Sequence, residues 1–193
     1  MRCAGEASKG IWGMVQRRIS GFSIIELMIT IAIVAILVAV ALPSFQSSLR
    51  GNRVSTTTNE LITSLNLARS EALRNPRGAV ICTSENGSTC GGDWDNGWIV
   101  WIDADGNGLP GGTNDRVLRH VAGRGDKLAI TATADGGMTL ANKIAFDNRG
   151  RVDANEARVL TVSSKQCDTG AMHQSEINIS RTGQVRSARQ ACP

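Results

Sequence analysis

The sequence contains no tyrosine and only two histidines, His120 and His173. So few imidazole groups exclude a histidine-rich metal site and argue against a proton-shuttling active site. The cysteines form no C-x-x-C pair, which argues against a zinc site. No serine–histidine–acid or cysteine–histidine arrangement is discernible, and the carboxylates are scattered over turns. We therefore expect a protein that is not an enzyme and that needs no metal or cofactor.

Charged side chains are also missing from Leu27 to Leu42, and counting from Phe22 gives 21 largely apolar residues. A helix of that length crosses a hydrocarbon core of about 30 Å. Residues 1–21 carry four basic side chains and one acidic one, which predicts a cytoplasmic N-terminus. The residues that end the run, Ala41 to Phe45, match the cleavage site of a secretory signal peptide poorly. The run by itself therefore indicates a membrane anchor.

The residues before the run carry a more specific pattern, which reads Arg17-Arg18-Ile19-Ser20-Gly21-Phe22-Ser23-Ile24-Ile25-Glu26-Leu27. This pattern resembles the class III signal of type IV prepilins and type II secretion pseudopilins. The resemblance implies that a prepilin peptidase cuts between Gly21 and Phe22 and methylates the new amine of Phe22. It also implies that Glu26 is the family's buried glutamate and Pro43 its helix-kinking proline. We expect translation to begin at Met14, which gives a leader closer in length to such signals.

A carboxylate inside a membrane helix costs several kcal/mol unless it is paired, so Glu26 needs an explanation. In a helical filament it would meet the positively charged amine of Phe22 on a neighbouring subunit, and this contact would set the axial position. The alternative is that Glu26, four residues from the mature terminus, extends to the cytoplasmic interface. Pro43 removes one backbone hydrogen bond and is expected to bend the helix.

Beyond Pro43 the helix is predicted to continue as far as Asn75. Asn75-Pro76 and then Gly78 end it. The 54 residues from Phe22 to Asn75 would span roughly 80 Å. The second half of the helix is predicted to be amphipathic, because mainly apolar residues recur on one face at spacings of three, four and seven residues. The residues of this face are Val54, Thr58, Leu61, Leu65, Ala68 and Ala72.

From about Ala79 the sequence predicts short strands separated by glycine, aspartate and asparagine turns. Their regular spacing, without helices between them, favours an antiparallel sheet. The predicted strands are Ala79–Cys82, Gly97–Asp103, Arg116–Val121, Lys127–Thr133, Lys143–Asp147, Arg158–Ser163, Ser175–Ser180 and Gln184–Ser187.

The order of a long helix, AVICTS, GWIVWIDADGNG, KIAFDNRGRV and INISRTGQVR resembles the GspH/FimT family of minor pilins and pseudopilins. The resemblance implies an α+β, pilin-like fold, in which a long N-terminal helix, transmembrane and then amphipathic, packs on an antiparallel β-sheet head. The expected domains are a cleaved leader (1–21), a transmembrane or filament-core helix segment (22–43), an amphipathic helix segment (44–77) and a periplasmic head (78–193).

Two further patterns in the head have a structural and a functional interpretation. The run from Asp103 to Gly108 looks like the start of a calcium loop, but Asn114 stands where an EF-hand needs an acid. A hairpin turn is the favoured interpretation. Trp94, Trp98 and Trp101 could form a stacking platform, although such clusters more often pack inside a core.

The sequence has five cysteines, and removal of the predicted leader with Cys3 would leave four in the mature chain. A periplasmic head lies where disulfides form and persist, and four cysteines allow three pairings. We favour Cys82–Cys90, which closes a small loop, and Cys167–Cys192, which holds the C-terminal tail.

The last thirteen residues contain three arginines and no acid. Arg181, Arg186 and Arg189 could contact DNA phosphates, or could be solvated charges on an edge hairpin. DNA-binding members of the FimT group carry G-R-x-R here, whereas this chain has Gly183-Gln184-Val185-Arg186, with one arginine fewer. Arg149 and Arg151 add two more on a predicted turn.

The resemblance implies a minor pilin that joins the tip or priming complex of a type IV pilus. A pseudopilin of a type II secretion system and a DNA receptor at the tip of a competence pilus are alternatives. The expected partners are other minor and major pilins or pseudopilins, the prepilin peptidase, the inner membrane and, for a receptor, double-stranded DNA. The expected location is the bacterial inner membrane, with one membrane pass and a periplasmic head, and then the pilus or pseudopilus.

Overall fold

The computed structural model describes residues 21–134, 142–152 and 158–193. The leader before Gly21, with Cys3 and Met14, lies outside the described residues. The described chain forms one long helix, α1 (Ile24–Ala72), a short 3-10 helix (Trp94–Asn96) and eight strands. The strands are β1 (Ala79–Thr83), β2 (Gly97–Ile102), β3 (Arg116–Ala122), β4 (Leu128–Ala134), β5 (Lys143–Phe146), β6 (Arg158–Ser164), β7 (Gln174–Ile179) and β8 (Val185–Gln190). Each predicted strand is present, with ends that differ by at most three residues.

The chain divides into two compact units, Met1–Pro43 and Ser44–Pro193. We call them the N-terminal unit and the C-terminal unit. Pro43 lies inside α1. In the N-terminal unit every described residue is exposed, and an 18-residue window of α1 has a mean hydropathy of 2.9. By length and composition this part of α1 is able to cross a membrane.

The helix ends three residues before the predicted Asn75. The Asn75 side chain donates from Nδ2 to the Glu71 carbonyl at 2.7 Å, and the same carbonyl accepts from the Arg74 N–H at 3.0 Å, so the last turn closes on a doubly bonded oxygen. Pro76 follows directly and disfavours helical backbone in the residue before it. The asparagine and proline thus terminate α1 as the sequence predicts, with Asn75 acting just outside the helix.

The strands form two antiparallel sheets of four strands each, which confirms the predicted antiparallel arrangement and adds the division into two sheets. One sheet has the order β3-β2-β1-β5 and the other β4-β6-β7-β8. Alternate residues of β2 point to opposite faces. Trp98 and Val100 join the main core with α1, whereas Ile99 and Trp101 pack with β1 on the other face. This is the alternation that the sequence of β2 predicts.

The second half of α1 covers the inner faces of the two sheets. The predicted stripe from Val54 to Ala72 is buried, and Thr57 and Ser64 are buried with it. Ser64 is compatible with the core because its hydroxyl donates to the Glu60 carbonyl at 2.8 Å and accepts from Trp98 Nε1 at 2.9 Å. A buried indole N–H is therefore paired with a helix side chain.

We predict that Ser64→Ala destabilises the protein by about 1–3 kcal/mol, because Trp98 Nε1 is then buried without an acceptor. Denaturant unfolding followed by tryptophan fluorescence measures this free energy. The matched control is Thr63→Ala, which removes an exposed hydroxyl bonded only within the helix and should change stability by less than about 0.5 kcal/mol. Equal effects of the two substitutions would contradict the role given to Ser64.

Candidate functional site

The predicted processing site lies immediately before α1. Gly21, Phe22 and Ser23 have no secondary structure, so the peptide bond between Gly21 and Phe22 is not held in helical hydrogen bonds. The first turn of α1 contains Glu26. Phe22 is 76% exposed, and the apolar side chains after it are exposed as well. Among residues 21–134, 142–152 and 158–193, none covers this segment.

Both favoured disulfides are present in the structure, Cys82–Cys90 and Cys167–Cys192. The first joins β1 to the loop that follows it. The second joins the loop between β6 and β7 to the C-terminus, where Cys192 N–H also donates to the Ala171 carbonyl at 2.8 Å. These bonds fix two irregular segments that have few strand contacts of their own.

The three clustered tryptophans are buried, with 4% exposure for Trp94, 1% for Trp98 and 0% for Trp101. Buried rings present no open face on which a base or sugar could stack. They are packing residues, which is the interpretation that the sequence favours.

The acidic run that begins at Asp103 lies in the connection between β2 and β3, which pair as antiparallel neighbours. Carboxylate oxygens of Asp103, Asp105 and Asp115 lie within 4.8 Å of one another. Each of the three accepts two backbone N–H bonds from the loop itself, and these donors are Gly106, Gly108, Asn107, Thr113, Ala104 and Gly112. The carboxylates therefore hold the shape of a hairpin loop.

The structure separates the arginines that the sequence groups in the tail. Arg189 lies opposite Ser175, on the face of β7 that is buried, and its Nη2 donates to Ser55 Oγ on α1 at 2.7 Å. Arg186 lies opposite the exposed Asn178 and therefore on the outer face of the sheet. The odd separation of the two arginines along one strand places them on opposite faces.

The structure also brings two turns together through Arg69 on the last turn of α1. Arg69 Nε donates to the Gly150 carbonyl at 3.1 Å, and Nη2 donates to the Thr182 carbonyl at 3.0 Å. Gly183 has a φ of 73°, and a Cβ on it would collide with the Gly150 carbonyl. The turn that carries Arg149 is thus fixed against the turn that carries Arg181.

We call the exposed arginines of these turns, Arg149 and Arg181, with Arg186 on the adjoining strand, the distal basic surface. Arg189 is remote from it, because Ser55 and Arg69 are separated by about 21 Å along α1. Arg149 is identified from the sequence as an arginine on a predicted turn. No sequence pattern predicts the role of Arg69, because its partners are 81 and 113 residues away in the chain.

Asp147 shapes the first of these turns. Burial favours its protonated form, but bonds from the backbone N–H groups of Arg151 and Arg149 and from the Arg151 side chain, together with the charge of Arg151, outweigh burial and hold the pKa of Asp147 below its ordinary value. Arg151 Nε donates to Asp147 Oδ2 at 3.0 Å. The ionised carboxylate therefore stabilises the turn.

We predict that Asp147→Asn lowers stability at neutral pH by about 1 kcal/mol, since an amide oxygen replaces a charged acceptor. The pKa of Asp147 is lower in the folded state, so its contribution is complete above about pH 4 and is lost as pH falls through the folded value. The difference between wild type and variant in thermal unfolding should therefore shrink with acid. The control is Asp126→Asn, whose carboxylate is paired only with the adjacent Lys127. A difference that stays constant with pH would contradict this account.

Two family models match this chain, one over its N-terminal segment and one over most of the rest. The family model described as type II transport protein GspH matches residues 57–183, and the model of the prokaryotic N-terminal methylation motif matches residues 16–42. Comparison with curated protein sequences gives no significant match.

Among solved structures, two crystal forms of the type IV minor pilin FimU from Pseudomonas aeruginosa (strain PAO1) are similar at 20% identity. The form in space group P21 has a TM-score of 0.50 and covers 73% of this chain and 95% of that chain. The form in P65 has a TM-score of 0.48 and covers 72% and 98%. The likeness to the P21 form confirms the α+β pilin fold. Because the GspH model covers most of the chain and the methylation motif precedes it, the chain belongs to the GspH family of minor pilins and pseudopilins.

Proposed function

We propose that this protein is a minor pilin that joins the tip or priming complex of a type IV pilus and supports its assembly. The observation that carries the proposal is the exposure of α1 up to Leu49. This stretch is rich in large apolar side chains, yet none of them is buried by the part of the chain that the structure describes. Such a surface is stable in a membrane before assembly and against the helices of other subunits afterwards.

Processing prepares this helix for assembly. A prepilin peptidase would cut between Gly21 and Phe22 on the cytoplasmic side of the inner membrane and methylate Phe22. The segment from Phe22 to Pro43 would then remain anchored, with the C-terminal unit in the periplasm. The two disulfides support this placement, because an oxidising compartment allows them to persist.

Glu26 gives the apolar helix a polar contact that lipid does not offer. It lies four residues after Phe22 in an otherwise uncharged run. A neighbouring subunit's Phe22 amine would pair with it, offsetting the cost of burying both charges. Because an unpaired carboxylate is costly, the pairing would select one axial offset between subunits.

The pilus is favoured over the type II secretion system by the tail. The segment from Gly183 to Arg186 and the disulfide that holds Cys192 resemble FimT-like proteins of pili. A pseudopilin of a secretion system would use the same helix and head fold, and would carry the same processing site. The two systems differ in the subunits that surround the head.

We predict that Glu26→Ala gives a protein that is processed and anchored but is lost from sheared filaments, because its helix no longer pairs with the Phe22 amine. Immunoblots of membrane and pilus fractions measure both quantities. The matched control is Thr30→Ala, which removes a hydroxyl bonded only to the Leu27 carbonyl in the same helix, and it should leave incorporation unchanged. Normal incorporation of Glu26→Ala would refute the role of this carboxylate. Detection in a secretion pseudopilus, with none in pili, would favour the pseudopilin.

A second candidate function is a DNA receptor at the pilus tip, and the distal basic surface favours it. Arg149, Arg181 and Arg186 are exposed. The hydrogen bonds from Arg69 to the Gly150 and Thr182 carbonyls hold the backbone of the two turns that carry Arg149 and Arg181. A turn whose backbone is already ordered loses less conformational entropy when its arginine binds a phosphate than a free loop does. Arg189 is not part of this surface, since it contacts α1.

We predict that the full-length protein in neutral detergent binds double-stranded DNA at low salt and that binding weakens as salt rises. Arg181→Gln and Arg149→Gln should each lower affinity several-fold and reduce the salt slope by about 1. Arg189→Gln is the matched control from the same tail and should bind as wild type. The receptor role is excluded if no binding occurs at low salt.

A further inference from the structure

Strand β3 forms an edge of the first sheet. In the order β3-β2-β1-β5, its one neighbour among the described strands is β2. All seven residues of β3 are exposed or half-buried. An edge strand presents a row of N–H and C=O groups with which another extended chain can pair. A partner can therefore reach this sheet through the backbone of β3.

The hydrogen bonds at the end of β3 show which of its peptide groups face outward. Gly123 N–H donates to the Asn96 carbonyl at 3.1 Å, which continues the ladder between β3 and β2. Alternate residues of a strand direct their peptide groups to opposite edges. Val121 therefore faces β2 as Gly123 does, whereas His120 and Ala122 direct their N–H and C=O groups to the free edge.

A cavity of about 390 Å³ adjoins the first half of β3. Val117 and Trp101, which pair across the two strands, form its apolar floor, and Pro110 adds an apolar wall. Gly87 and Ser88, in the loop that the first disulfide closes, form the opposite wall. Val117 is 39% exposed, although the residue beneath it is buried. The cavity therefore offers an apolar side chain of a partner a place beside the strand edge.

The charges of β3 indicate the charge of that partner. The strand carries Arg116 and Arg119 and no acidic residue, and neither arginine takes part in an ion pair of the described residues. Arg116 also lines the cavity. The acid next to it, Asp115, already accepts two backbone N–H bonds from its own loop. An acidic side chain of the partner would thus find an arginine at the cavity.

The same strand opposes pairing with a second copy of itself. Arg119 pairs with Val100 and Val117 with Trp101, so Leu118 is an extra residue and forms a β-bulge. Bulges and charged side chains on an edge strand protect it against unspecific pairing. Two copies of β3 side by side would also bring their arginines together, and like charges on paired strands are destabilising. A strand of opposite charge does not meet this obstacle.

We propose that the free edge of β3 binds an extended acidic segment of another filament subunit. The segment pairs with the peptide groups of His120 and Ala122, places an apolar side chain over Val117 and an acidic one beside Arg116. Backbone pairing supplies affinity, while the cavity and the arginine select the sequence. The distance from Val117 to Ala122 is about 17 Å, which about six extended residues span. The inference rests on the assembly role proposed above, since that role brings other subunits to the head.

The test uses the full-length processed protein in neutral detergent and a fluorescent peptide, acetyl-TEVEVEVT-amide, which has glutamates on one face and valines on the other. Fluorescence anisotropy should show saturable binding. The same peptide with N-methylated central residues keeps its side chains and charge but lacks the N–H donors, and it should not bind. Hydrogen exchange followed by mass spectrometry should show several-fold slower exchange in β3 when the first peptide is present.

Two variants locate the binding site. Ala122→Pro removes an N–H that faces the free edge and leaves the ladder to β2 intact, as edge strands allow. Arg116→Gln removes the charge at the cavity and serves if the proline variant folds poorly in thermal unfolding. Each should lower affinity for the peptide several-fold. The matched control is Arg74→Gln, which removes the same charge from an exposed position beyond the end of α1 and should bind as wild type.

The site on β3 is overturned by an absence of saturable binding, by equal affinity for the N-methylated peptide, or by unchanged affinity in both variants. Slower exchange in β3 as the protein concentration rises, without any peptide, would replace the partner by a second copy. Immunoblots of sheared filaments report the assembly role separately. If the wild-type protein is present in filaments while the peptide does not bind, the assembly role stands and only the site on β3 falls.

Discussion

The packing of the second half of α1 on two sheets is the constraint on which the C-terminal unit depends. Leu61 and Leu65 are fully buried and meet Ile81 of one sheet and Leu160 of the other in one core. Each fully buried leucine contributes about 1.5–3 kcal/mol. An antiparallel sheet with one apolar face needs cover on that face. Because α1 covers both sheets at once, neither sheet's inner face has an alternative partner within the described chain.

The same helix also positions polar groups that lie outside the apolar core. Ser55 holds Arg189 near one end of the C-terminal unit, and Arg69 holds the Gly150 and Thr182 carbonyls near the other. Between them Ser64 pairs with Trp98 inside the core. A single rigid element therefore determines where two separate charged surfaces lie, and the distance between them is a consequence of helix length.

The local elements could be predicted from sequence because their signals are periodic and short. The stripe from Val54 to Ala72 repeats at helical spacing, and the alternation from Trp98 to Trp101 repeats at strand spacing. Neither the division into two sheets nor the hydrogen bonds of Arg69 to the Gly150 and Thr182 carbonyls could be predicted, since both depend on contacts between residues far apart in the chain. Arg69 meets carbonyls rather than acids, so charge pairing carries no signal for it.

The arginine tail shows how a small error in one strand changes a functional interpretation. The predicted strand ended at Ser187, which left Arg189 in an irregular tail where all three arginines could converge on one ligand. The observed β8 continues to Gln190, and strand alternation then forces Arg186 and Arg189 to opposite faces. One basic segment in the sequence thus becomes two surfaces of different chemistry. Arg186 faces solvent beside the turns at the far end of α1, whereas Arg189 turns to the helix and donates to Ser55 Oγ.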